Sequence, residues 1–168
     1  MPIDAQRAVL NVLARDSRLR HGSQDTIALL MDLLHYGEFQ IFEQVSSLGS
    51  VDFVNLAGLK GPPGADGALW LVSCVSTGTE PIPGRWRTTA GDPLAPSHDF
   101  VGDAIHGLGA ASGKVDLVLK ILAASRFMRE ELERPVAILA LFGEEARNTG
   151  MRTLLETSSR APGAVVVG

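Results

Sequence analysis

The sequence predicts an α/β fold, a three-layer sandwich in which a mostly parallel central sheet is flanked by helices. Helical and extended patterns alternate along the chain, which is typical of strands joined by right-handed helical crossovers. Residues 136–142 form a continuous apolar run, as expected for a strand that is buried on both faces of a parallel sheet. We therefore expect one domain that spans residues 1–168.

The first 35 residues predict two helices, because their apolar positions recur at helical spacing. Ser23 is the predicted N-cap of the second helix, and Gly37 is expected to end it. The apolar positions are Ala8, Val9, Val12 and Leu13 in the first helix, and Ile27, Leu30, Met31 and Leu34 in the second.

Three strands are predicted next, at residues 39–42, 51–56 and 68–72, because short extended patterns there are separated by turn-rich stretches. Residues 77–113 are rich in Gly, Pro, Ser and Thr and have no sustained period. Such a segment is long for a connection inside a domain, and this predicts that it carries function.

The last third of the chain returns to regular patterns. A 3.6-residue apolar period predicts a helix over 114–132, and the buried strand 136–142 follows it. A further helix at 148–157 and a last strand at 164–167 complete the alternation of helix and strand.

Composition excludes several classes of protein. The net charge of the 168 residues is -4, which argues against a strongly basic nucleic-acid binder. Cys74 is the only cysteine, so the chain has neither an internal disulfide framework nor a paired-cysteine zinc site. No signal pattern and no apolar run of membrane-spanning length is present, and we expect a soluble, cytoplasmic protein without membrane contact.

Two adjacent acids, Glu144 and Glu145, directly follow the buried strand. Open α/β sheets place their sites at the carboxyl ends of strands, so the pair is a candidate for holding a cation and accepting a proton. The same residues would also serve as the acidic first turn of a helix, which they would stabilise through its dipole. The sequence leaves both interpretations open.

The glycine-rich segment 107–114 precedes a predicted helix and could approach a phosphate closely. Its spacing does not match a Walker-type loop, because Leu108 and Val115 occupy the positions that need Gly and Ser or Thr. Ser112 and Lys114 could form a nucleophile pair, although such spacing is common by chance. The histidines have no metal-binding spacing; they are His21, His35, His98 and His106.

Five segments, in order, resemble the dinuclear zinc aminoacylase and carboxypeptidase family, which includes acetylornithine deacetylase, succinyl-diaminopimelate desuccinylase and glutamate carboxypeptidase. Residues 54–56 are similar to its Asn-Leu strand, and residues 70–77 to the strand that ends in Gly-His-x-Asp-Thr. Trp86 with residues 92–94 resembles its Trp and Asp-Pro-Phe segment. Further matches are residues 107–114 with Gly-Arg-Gly-Ala-Ser-Asp-Met-Lys, and residues 142–150 with its strand, acidic pair and glycine.

The resemblance implies that the family's dizinc site is lost. Cys74 stands in place of the first zinc-binding His, and Ser76 in place of the Asp that orients it. Ser112 corresponds to the metal-bridging Asp, and Leu108 to the Arg of the glycine turn. A thiol and two neutral hydroxyls cannot replace the imidazole and the carboxylates in holding two divalent ions, so we expect no zinc cofactor.

Two acidic positions of the family are retained. Glu144 matches the general base and Glu145 matches a zinc ligand. If one metal were kept, Cys74 and Glu145 would supply only two of the three protein ligands that catalytic zinc normally has. The resemblance therefore implies the N-terminal half of a peptidase-like catalytic domain, without the family's dimerisation domain and C-terminal segment.

Two functions follow as alternatives. The first is hydrolysis of an amide bond without zinc, with Glu144 as general base and a nucleophile from Cys74, Ser112 or the missing half of the domain. In that case Ser76, Gly109 and Lys114 would bind a small substrate that resembles an acylated amino acid. The second is a non-catalytic relative that binds a ligand or a partner protein in the old cleft.

A partner is expected with either function. Residues 164–167 have the pattern of a central strand, and the chain stops at Gly168 without a segment to cover it. Each missing large apolar contact forfeits about 1.5–3 kcal/mol. We therefore predict that a second chain, or a C-terminal segment cleaved from a precursor, completes the domain.

Overall fold

A five-stranded sheet forms the centre of the fold. The computed structural model describes residues 4–14, 24–48, 51–63, 67–76, 98–102, 104–107, 110, 113–144, 147–158 and 161–168. The helices are α1 (Ala5–Leu13), α2 (Gln24–Tyr36), α3 (Gly113–Ala124) and α4 (Thr149–Thr157), with a 3₁₀ turn at Arg129–Glu131. The strands are β1 (Gln40–Leu48), β2 (Val51–Lys60), β3 (Leu69–Cys74), β4 (His98–Val101), β5 (Ala104–Gly107), β6 (Val136–Leu141) and β7 (Ala164–Val167).

The central sheet is mixed, whereas the sequence predicted a mostly parallel one. Its strand order is β1-β2-β6-β3-β7. β3 runs parallel to β6 and β7, but β2 runs antiparallel to both β1 and β6. β1 and β2 are separated by only two residues, and so short a connection permits antiparallel pairing alone. β2 is therefore the one strand of this sheet that runs opposite to the other four.

Helices cover both faces of this sheet, which gives three layers. On one face α1, α2 and α3 pack against Phe53, Ile138 and Phe142. On the other face α4 packs through Met151 and Leu154 against Trp70, Leu139 and their neighbours. Successive residues of β6 belong to opposite faces, so its uninterrupted apolar run fills both cores. The fold class is thus α/β, as predicted.

The N-terminal helices form for reasons that the sequence partly reveals. α1 is capped by Asp4, whose carboxylate accepts hydrogen bonds from the amides of Gln6 and Arg7 at 3.0 and 3.3 Å. α2 ends before Gly37, as predicted, but Glu38 is the residue with a left-handed φ of 60°. None of the described helices is long and apolar enough to cross a membrane. The predicted cap Ser23 lies outside the described residues.

Several other elements differ from the predictions. β1 continues to Leu48, beyond its predicted end at residue 42, and buries Ser46. α3 ends at Ala124 rather than near residue 132, because the chain then makes turns and the 3₁₀ segment. β4 and β5 form a separate two-stranded sheet inside the segment for which no regular structure was predicted. Residues 77–97 of that segment are outside the described part of the chain.

β7 is the most exposed strand of the central sheet. It pairs with β3 through one edge, and all four of its residues are exposed. Val165 and Val166 are 47% exposed and Val167 is 69% exposed. Valine is favoured in strands whose side chains pack on a half-buried surface. Among the described residues, the valine side chains of β7 are more exposed than this preference predicts.

Candidate functional site

The predicted site residues meet at the carboxyl ends of two adjacent parallel strands. In the pairing of β3 with β6, Cys74 lies opposite Leu141, and the amide of Val75 donates to the Leu141 carbonyl at 2.9 Å. The residues that follow each strand are therefore neighbours. This places Cys74 and Ser76 beside Glu144, although these residues are about seventy positions apart in the sequence.

Ser76 holds the turn that carries Glu144. Its side chain is buried, and its Oγ accepts hydrogen bonds from the amides of Gly143 and Glu144 at 3.2 and 3.4 Å. The same Oγ lies 3.4 Å from the Sγ of Cys74. Ser76 was predicted to bind substrate; in the structure its hydroxyl contacts backbone amides and the Cys74 thiol.

Glu144 sits in a turn rather than in a helix. Gly143 has a φ of +84°, which the absence of a side chain allows, and it redirects the chain after β6. The amide of Asn148 then donates to the Glu144 carbonyl at 3.2 Å, and the amide of Thr149 donates to the Gly143 carbonyl at 3.1 Å. α4 starts only at Thr149 and has no acid in its first turn. Glu144 is therefore not a helix-start acid, which leaves the strand-end site as its better interpretation.

The Cys74 thiol is protonated at neutral pH. Burial is the main cause that raises its pKa from 9.0 to about 11. The Glu144 carboxylate raises it further, because it accepts the thiol proton and would repel a thiolate, while Ser76 acts in the opposite direction. Cys74 is thus a hydrogen-bond donor to Glu144 and not a ready nucleophile.

A cavity of about 230 Å³ opens beside these residues. Cys74 and Glu144 line it together with Gly113, Phe142, Asn148 and Val167. Most of this lining is apolar, and the exposed carboxylate of Glu144 supplies the negative charge. A larger groove of about 780 Å³ lies along the α4 face of the sheet, but none of the predicted site residues lines it. The smaller cavity is therefore the candidate site.

The other predicted site residues are placed differently. Lys114 belongs to the first turn of α3, where its side chain is buried and does not line the cavity. Ser112, Gly109 and Glu145 lie outside the described residues, so their proposed roles stay predictions.

Sequence reasoning missed two polar residues near the site, Asn55 and Asn148. Asn148 is a cavity residue whose φ of 56° is left-handed, and Asn is one of the residue types that tolerate this conformation. Asn55 is 3% exposed and hydrogen-bonds to the end of β6. The sequence offered two signals for Asn55, its match to the family's Asn-Leu strand and its polar side chain at a predicted core position of a strand.

Ionisation of Cys74 offers a direct test of this geometry. Only a thiolate is alkylated readily, and a pKa of about 11 leaves about one thiol in a thousand ionised at pH 8, against about one in ten at the ordinary value of 9.0. We expect alkylation by iodoacetamide, followed by mass spectrometry, to accelerate about tenfold per pH unit up to about pH 11. The urea-unfolded chain is the control, and a plateau near pH 9 in the folded chain would contradict the described contacts.

No protein-family model matches the sequence, and no curated protein matches it either. Solved structures do share its fold. Human carnosine dipeptidase 1 has a TM-score of 0.69 and 15% identity over 98% of this chain and 38% of its own. Porphyromonas gingivalis glutaminyl cyclase has a TM-score of 0.64 and 14% identity over 97% and 55%, respectively. A protein from Bacteroides vulgatus, named as a Zn-dependent exopeptidase, has a TM-score of 0.60 and 14% identity over 99% and 60%.

These similarities show that the chain has the fold of zinc exopeptidases and glutaminyl cyclases. They do not single out the aminoacylase family within that group. The chain spans about 38–60% of the length of these three proteins.

The described residues do not fit a catalytic zinc of the kind this fold can hold. Such an ion normally has three protein ligands and an open position. Over the described ranges, no group of three His, Cys, Asp or Glu side chains could hold a metal ion. Among the described side chains that line the cavity, Cys74 and Glu144 are acidic, and the Glu144 carboxylate accepts a hydrogen bond from the Cys74 thiol. Ser76, which lies next to them, already accepts two amide protons.

Proposed function

We propose that this chain is a peptidase-related hydrolase that cleaves an amide bond with Glu144 as general base and without a dizinc centre. The observation that carries the proposal is the exposed Glu144 carboxylate at the carboxyl end of β6, beside the cavity and against the Cys74 thiol. The peptidase-type fold supports the reaction class, and the small cavity supports a substrate about the size of an acylated amino acid.

The chemistry requires no protein nucleophile. The Glu144 carboxylate would accept a proton from a water molecule as that water attacks the amide carbonyl, and it would then return the proton to the leaving nitrogen. The Cys74 thiol, which is protonated, suits the role of a hydrogen-bond donor near the reacting groups better than that of a nucleophile. α3 begins at Gly113 on the cavity wall, and amides in the first turn of a helix favour a developing negative charge. Ser112 is proposed as the nucleophile of an alternative route through a covalent intermediate.

Hydrolysis of N-acetyl amino acids and dipeptides by the purified chain tests this function. We expect turnover that survives incubation with EDTA, and fewer than one zinc ion per chain by mass spectrometry of the metal content. Protein refolded in the presence of zinc is the control. Turnover that disappears with EDTA and returns with zinc would overturn the proposal.

The second candidate is a ligand-binding protein without turnover. This candidate is favoured because neither the hydroxyl of Ser76 nor the thiol of Cys74 is a ready nucleophile. Ser76 is buried against backbone amides, and Cys74 is protonated. Calorimetric titration with the same acylated amino acids distinguishes the candidates. Saturable binding that Glu144→Gln weakens, without hydrolysis of any substrate, would favour this second function.

We also propose that a partner segment, either a second chain or a C-terminal segment of the same gene product, covers β7. The exposure of its three valines supports this proposal. Such a segment would bury apolar surface worth about 25 cal/mol per Å².

A further inference from the structure

Asn55 uses its whole carboxamide group inside the protein. Its Nδ2 donates to the Oε1 of Gln44 at 2.7 Å and to the carbonyl of Gly150 at 2.8 Å. Its Oδ1 accepts a hydrogen bond from the amide of Phe142 at 3.2 Å. The residue is only 3% exposed, so these three partners replace water for the carboxamide.

These bonds join the two ends of the turn that carries Glu144. Phe142 is the last residue before the turn, and Gly150 lies in the first turn of α4 after it. The two are in direct contact, since a Cβ atom added to Gly150 would lie 2.0 Å from the Phe142 carbonyl oxygen and 2.6 Å from Oδ1 of Asn55. One side chain from β2 therefore fixes the width of the turn at its base.

The turn is also held from the opposite side. β6 lies between β2 and β3 in the sheet, and Ser76, just after β3, binds the amides of Gly143 and Glu144. Asn55 on β2 binds the turn from the other neighbouring strand. Two buried polar side chains, one from each strand beside β6, thus restrain the turn that carries Glu144.

We propose that Asn55 is a positioning residue for Glu144, because it closes the base of the turn that presents the carboxylate to the cavity. The inference rests on the proposed function of Glu144 as the general base. Asn55 acts through the backbone and does not itself touch the reacting groups.

Only an amide of this length satisfies all three partners. Aspartate keeps the acceptor for the Phe142 amide, but it has no proton for the Gly150 carbonyl and would set a carboxylate against that oxygen. Leucine has a similar size and neither donor nor acceptor. Both substitutions leave a buried backbone group of the turn without its partner, so the turn should open locally.

Hydrogen exchange of the full chain, followed by NMR, tests the proposal through Asn55→Asp and Asn55→Leu. We expect the amides of Phe142, Gly143 and Glu144 to exchange at least about tenfold faster than in the unmodified chain, when each rate is divided by that of the Ile138 amide in β6. With an active enzyme, kcat should fall about tenfold or more while KM changes little.

Lys60→Met is the matched control. Lys60 is equally buried on the same strand, and its Nζ donates to the Gly37 carbonyl at 2.9 Å, far from the site. Its loss should accelerate exchange of all slow amides by a common factor and leave their ratios unchanged. Should both Asn55 variants fail to fold, Gln44→Met removes the half-buried outer partner of Asn55, together with the bonds that Gln44 donates to Thr153 and Thr157 of α4. It should produce the same local acceleration with a smaller factor.

Exchange rates of the Phe142, Gly143 and Glu144 amides that keep their original ratios to the Ile138 rate, in the variants that fold, would overturn the role of Asn55. This outcome is independent of catalysis. Absence of hydrolysis by the unmodified chain would overturn the proposed function. The exchange ratios would still show whether Asn55 holds the turn.

Discussion

Replacement of Gly113 by alanine is expected to destabilise the protein by about 3 kcal/mol or more, although alanine is normally the better helix former by about 1 kcal/mol. A Cβ atom at this position would lie 1.4 Å from the carbonyl oxygen of Cys74 and 2.4 Å from its carbonyl carbon. Both are backbone atoms, so no side-chain rotation relieves the overlap. α3 would have to move away from β3.

The cost is large because α3 contributes fully buried side chains to the core. Leu117 and Val118 are 0% exposed and Ile121 is 1% exposed. A shift of the helix would loosen the packing of all three residues and would also displace the wall of the cavity at Gly113.

Urea denaturation monitored by circular dichroism measures this effect. Ala123→Gly is the control, since residue 123 is exposed in the same helix and should lose only about 0.5–1 kcal/mol. A Gly113→Ala variant as stable as the unmodified chain would mean that α3 does not approach β3 as closely as described.

Replacement of Glu144 by glutamine is expected to reduce kcat for amide hydrolysis by about 10²–10⁴-fold. Glutamine has nearly the same size but cannot accept a proton from water, so the loss would be chemical. The Glu144 side chain is exposed, and the bonds from the backbone amides of Gly143 and Glu144 to Ser76 do not depend on the carboxylate. The free energy of unfolding should therefore change by less than about 0.5 kcal/mol.

The same variant has a second, independent consequence. Because the Glu144 charge helps to raise the pKa of Cys74, its removal should lower that pKa and accelerate alkylation of the thiol at pH 8. Glu156→Gln is the matched control, as Glu156 is an exposed acid on α4. Hydrolysis that persists at more than about a third of the unmodified rate in Glu144→Gln would show that another group is the base.

Much of the fold could be predicted because hydrophobic periodicity is a local property. The buried strand at 136–142 corresponds to β6, and the predicted last helix and strand correspond to α4 and β7. The location of Glu144 directly after a buried strand was also readable, since it depends only on neighbours in the chain.

Strand direction was predicted wrongly for a physical reason. β6 is apolar throughout because helices cover both faces of the sheet, and that pattern is the same whether the next strand is parallel or antiparallel. The β4–β5 pair was missed because each strand has only four residues, too few for a clear period.

From the sequence by itself one obtains the kinds and order of the elements and the strand-end position of Glu144, because side-chain burial repeats with the period of the backbone. Only the tertiary structure decided which groups surround that carboxylate. Ser76 reaches Gly143 across 67 positions and Asn55 reaches Gly150 across 95. Such bonds depend on how strands are ordered in the sheet, and no local pattern of residues encodes that order.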